Sequence, residues 1–131
     1  MSRPMFFRYS IVLSLVLGLF IIGGTTTPPV WAHAYPAVSV PNNGATLKEP
    51  PSEVRIQFTE AIEMAFSAVT VVGPYKEVVS QGKLHKLADD TVAIGLKPLP
   101  AGNYTVQWQV LSVDTHVTEG VLRFTIAPGG N

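Results

Sequence analysis

Asp114 and His116 stand two residues apart in the stretch Ser112-Val113-Asp114-Thr115-His116, a carboxylate beside an imidazole. In a locally extended chain, residues two apart project to the same side, with backbone positions about 7 Å apart. One ion could then bridge the pair. Two ligands do not make a tight metal site, so further donors must come from elsewhere in the chain. His33 is the candidate.

What His33 can offer depends on how the chain begins. Arg3 and Arg8 are followed by an apolar run from Ile11 to Ile22. A bilayer span takes roughly 20 residues, so this run is too short to cross but suits a secretory signal. Gly23, Gly24, Pro28 and Pro29 break it, and Val30-Trp31-Ala32 supplies tolerated residues at −3 and −1 of a cleavage site. Residues 1–32 therefore read as a signal peptide, and cutting after Ala32 makes His33 the first residue. Its α-amine and imidazole Nδ1 can close a six-membered chelate on one ion. Adding His116 and Asp114 gives three nitrogens and one oxygen. A tetragonal N,O set suits Cu(II), which heads the divalent affinity order; Zn²⁺ accepts the same donors but prefers a tetrahedron.

Composition narrows the alternatives. The 131 residues contain no Cys and carry a formal net charge of zero. Disulfides, thiolate metal sites and Cys nucleophiles are excluded together. There is no basic run to hold nucleic acid or an anionic membrane. Cleavage would remove two of the nine basic residues and none of the nine acidic ones, leaving a mildly acidic product of charge −2. No second apolar run could span a membrane.

The elements that must position these donors read as short strands. Val54, Ile56 and Phe58 alternate with polar residues, as do Tyr104, Val106, Trp108 and Val110, and again Leu122, Phe124 and Ile126. Residues 33–40, 66–72 and 91–96 read as further strands. Residues 59–64 have some helical spacing, and 76–87 divide into two short strands around Gly82. Gly102-Asn103-Tyr104 fits the tyrosine corner of Greek-key sandwiches, whose hydroxyl bonds back to nearby backbone. The expectation is an all-β, Greek-key (Ig-like) β-sandwich of about seven strands over residues 33–127, with a short tail at 128–131. Inter-strand loops gather at the ends of a sandwich, which can bring His33 beside Asp114 and His116. Trp108 and Phe124 read as core, Asp89-Asp90 as a turn and His85 as an exposed strand residue.

Over residues 33–127 the chain resembles the CopC family of exported copper-resistance proteins. The resemblance is carried by His33-Ala34, Phe58-Thr59-Glu60, Leu99-Pro100-Ala101-Gly102-Asn103-Tyr104, Trp108, and Ser112 to His116 followed by Gly120 and Phe124. It implies one Cu(II) ion at His33, Asp114 and His116, with a carboxylate at Glu60 nearby and Glu63 as its competitor. It also implies a place in the periplasm or on the outer cell surface, and a CopD-type membrane copper transporter as partner. Some members add a Met-rich loop for Cu(I). Here Met1 and Met5 leave with the signal and Met64 remains, so no separate Cu(I) site is expected. The product reads as a monomer and not as an enzyme. Two alternatives stand beside this reading. One is a copper monooxygenase, since an N-terminal His chelate also occurs in lytic polysaccharide monooxygenases, although an anionic Asp ligand favours Cu(II) over the oxygen-reactive state. The other is a metal-free Ig-like interaction module.

Overall fold

The computed structural model describes residues 33–129. The expected signal peptide and its cleavage point lie outside the described residues. Within them the chain forms eight strands and no helix: β1 (Pro36–Val40), β2 (Ala45–Leu47), β3 (Glu53–Phe58), β4 (Ile62–Val72), β5 (Ser80–Ala88), β6 (Thr91–Leu96), β7 (Gly102–Ser112) and β8 (Val117–Ile126). They build two four-stranded sheets, ordered β1-β3-β6-β5 and β2-β8-β7-β4.

Period-two alternation decides which faces meet. Val54, Ile56 and Phe58 of β3 and Val92, Ile94 and Leu96 of β6 are buried on one side. Tyr104, Val106, Trp108 and Val110 of β7, with Phe124 and Ile126 of β8, close from the other. Each fully buried aliphatic or Phe side chain contributes about 1.5–3 kcal/mol. The ring of Trp108 meets Phe58 edge-on at 5.5 Å, and Tyr104 stacks on Phe124 at 5.2 Å. The Tyr104 hydroxyl donates to the Pro100 carbonyl at 2.6 Å, so the tyrosine corner forms as expected.

Three local expectations change. Residues 59–64 are not helical: β4 begins at Ile62, and its register against β7 shifts between Glu63 and Ala68. There Ser67 Oγ donates to the Glu63 carbonyl and accepts the Leu111 N–H. Residues 76–87 hold one strand, not two. β5 runs through Gly82, whose φ of 75° only glycine takes without strain, and absorbs it as a register shift against β6. The short β2 pairs parallel with the far end of β8, Ala45–Leu47 against Phe124–Ile126. Residues 33–35 precede β1 rather than belonging to it.

One end of the sandwich gathers several chain segments. The β3–β4 connection lies there, bracketed by the β5–β6 turn: Phe58 N–H donates to Asp90 O at 2.8 Å and Ile62 N–H to Asp89 O at 2.9 Å. The β7–β8 loop joins it through Val113 N–H to Ala61 O at 3.1 Å.

Candidate metal centre

His33 reaches this end because the residues after it are tied down. Ala34 is completely buried. Tyr35 N–H donates to the Thr59 hydroxyl, and Thr59 N–H donates to Tyr35 O. The Thr59 hydroxyl donates in turn to His33 O at 3.2 Å. On the opposite side the Thr118 hydroxyl of β8 donates to Ala34 O.

Asp114 and His116 are placed by the β7–β8 loop. Ser112 N–H donates to His116 O at 3.0 Å, and Thr115 N–H to Ser112 O at 2.9 Å. Thr115 lies in the left-handed region at φ 73°, the conformation that closes three-residue hairpin loops. Ser112 is fully buried, and its hydroxyl donates to Asp114 Oδ1. The His116 N–H reaches the same oxygen at 3.2 Å. The Ser112 hydroxyl, followed by the His116 backbone and ring, holds the Asp114 carboxyl below the usual carboxylate range despite some loss of water. With Oδ1 engaged twice, Oδ2 faces His116 Nδ1 at 3.2 Å.

The three side chains converge. The His33 and His116 rings meet at 4.4 Å between centroids, 66° apart. One ligand atom from each of His33, Asp114 and His116 lies within 4.8 Å of the others, and this is the group of three or more such residues found among the described residues. Donors at about 2.0–2.2 Å from a shared ion stand up to about 4 Å apart, so modest side-chain closure suffices. The donor set also fits a metal by its accounting. His33 Nδ1 is buried without a hydrogen-bond partner. Such an orphan is costly in water-poor surroundings and is relieved by a ligand.

The remaining candidates fall elsewhere. Glu60 is half-buried next to Thr59 in the β3–β4 connection but is not in the converging group. Glu63 is exposed on β4, in register with Leu111. His85 is exposed on β5, with Nδ1 3.3 Å from Lys83 O. Met64 packs half-buried against the core. Trp108 is a core side chain whose ring lies over Gly120. Sequence reasoning did not assign roles to Ser112, Thr59 or Thr118. Ser112 and Thr59 sit inside motifs that drew attention, but a hydroxyl's partner depends on the turn or crossing strand. Thr118 carries no signal in sequence.

Over residues 37–127 the sequence matches the family described as the CopC domain. The chain belongs to that family. It is 34% identical over 106 residues to Protein YobA of Escherichia coli (strain K12), covering 76% of this chain and 83% of the relative. It is 31% identical to Copper resistance protein C of Escherichia coli, covering 72% and 82%. A third relative, Copper transport protein CutJ of Bacillus subtilis (strain 168), is 32% identical over 88% of this chain, which spans only 22% of that longer protein. Among solved structures, CopC from Methylosinus trichosporium OB3b shares the fold with a TM-score of 0.67 at 24% identity, over 76% of this chain and 98% of that one. PcoC, a methionine-rich copper resistance protein from Escherichia coli, aligns with a TM-score of 0.64 at 28% identity, over 72% and 99%. The resemblance read from the motifs and the all-β sandwich both stand.

Proposed function

We propose that this CopC-domain protein is exported and carries one Cu(II) ion, buffering it, sequestering it or delivering it to a membrane copper transporter. One observation carries the reading: His33, Asp114 and His116 converge within 4.8 Å, and the buried Nδ1 of His33 has no partner among the described residues. Signal cleavage after Ala32 adds the α-amine of His33, so that three nitrogens and the Asp114 oxygen surround the ion. This donor set holds copper in its oxidised state. The packing of Met64 against the core supports the absence of a second, thioether site. Glu60 is the carboxylate closest in sequence to the Thr59 anchor and serves as an outer partner of the centre, ahead of the exposed Glu63. The names of the copper resistance and copper transport relatives support the cargo. The long relative, in which the matched region is one part of a copper transport protein, supports a CopD-type membrane transporter as the receiver.

The deciding experiment compares the exported chain with its Nα-acetylated form, using electron paramagnetic resonance and Cu(II) titration. The exported chain is expected to show three coordinated nitrogens. Acetylation is expected to remove one and to weaken binding sharply. Equal spectra and equal affinity would exclude the terminal amine from the centre.

A further inference from the structure

We propose that Thr59 and Thr118 are positioning residues that fix His33 as a pre-formed ligand before any ion arrives. The inference rests on the reading of His33 as a copper ligand and names what makes that ligand usable. The first residue of a processed chain has one peptide bond to hold it and frays unless tied down. A frayed histidine must be ordered when the ion binds, and the ordering entropy is subtracted from affinity.

The geometry removes that cost in advance. Successive carbonyls of the strap are taken by different elements. The Thr59 hydroxyl takes His33 O on one side and receives the Tyr35 N–H, while the Thr118 hydroxyl takes Ala34 O on the other. Three consecutive residues are thus held from two directions, by the β3–β4 connection and by β8, with the Ala34 side chain sealed beneath. The clamp also keeps an unsatisfied nitrogen buried on a ring that packs edge-on against His116. A free strap would turn that nitrogen to water. A clamped one holds it for the ion.

The hydroxyl can be separated from the side-chain shape. Thr59→Val and Thr118→Val keep the shape and lose the donor, whereas Thr59→Ser and Thr118→Ser keep the donor. Thr59 is exposed and Thr118 half-buried, so neither change strikes the core. The test uses the exported chain, its amino terminus checked by mass spectrometry, with Cu(II) affinity read by competition against a chelator. Thr118→Val, which loses one hydrogen bond, is expected to bind roughly five- to tenfold more weakly, Thr59→Val, which loses two, at least as weakly, and each Ser variant near the parent. Metal-free Val variants are expected to show faster backbone motion at Ala34 in NMR relaxation, with the thermal midpoint little changed. His33→Ala is the control for the underlying reading. If His33→Ala weakens binding and the Val variants do not, the clamp is wrong while the centre stands. If His33→Ala leaves affinity untouched, both are wrong.

Discussion

Ser112 decides which oxygen of Asp114 is available. Its buried hydroxyl and the His116 N–H both engage Oδ1, so Oδ2 is the oxygen turned toward His116 Nδ1 in the converging group. A group that orients a metal ligand is commonly worth about 10–100-fold in metal affinity. Ser112→Ala is therefore expected to weaken Cu(II) binding by about that factor, with His33 and His116 nitrogens still present in the paramagnetic spectrum. An unchanged affinity would mean that the loop holds Asp114 without the hydroxyl. At this scale the sequence was informative about donor types and poor about their supports. An imidazole and a carboxylate two apart, and a histidine after a cleavage signal, are visible as residue types. The partner of a serine hydroxyl is set by the turn around it, and the left-handed Thr115 gave no glycine or asparagine to announce that turn.

Strands that bury one face were legible, and strands that do not were not. β3, β7 and the second half of β8 alternate cleanly, because one side of each meets the core. β5 is exposed on both faces for most of its length, so no period survives to reveal it. β2 is three residues long and exists only through its pairing with β8. Element packing also explains a glycine that pattern alone could not. Gly120 of β8 stands opposite Trp108 of β7, and an added Cβ would lie 2.7 Å from the indole Cζ2. The Trp108 ring is held by Phe58 and by the opposing sheet and cannot simply swing away. Gly120→Ala is expected to cost about 1–3 kcal/mol as overpacking, read as a lower urea midpoint with a shifted indole emission. A midpoint equal to the parent's would show that the strand yields without cost.

The whole domain should respond to acid through a group outside the converging His33, Asp114 and His116. Asp90, in the β5–β6 turn, accepts from Gln57 Nε2 at 3.0 Å and from the Thr91 hydroxyl at 2.8 Å. The Gln57 bond and then the Thr91 bond lower its pKa below the ordinary value. A depressed folded value stabilises the native state above the unfolded pKa of about 3.9, and the gain fades as pH falls through the folded value. Asp90→Asn is thus expected to be less stable than the parent near neutrality, with the gap closing below about pH 4 in a series of denaturation midpoints. A gap independent of pH would assign the loss to packing instead. The strap ahead of β1 has one more consequence, should export free His33 as the first residue. Aminopeptidases draw the first few residues of a chain, extended and loose, into a narrow cleft. In a chain starting at His33, the following alanine is sealed in the core, and the carbonyls of His33, Ala34 and Tyr35 and the Tyr35 N–H are already engaged. An amino end at His33 would thus give trimming enzymes little loose chain to grip, and a copper ion on the terminal nitrogen would bar the door a second time.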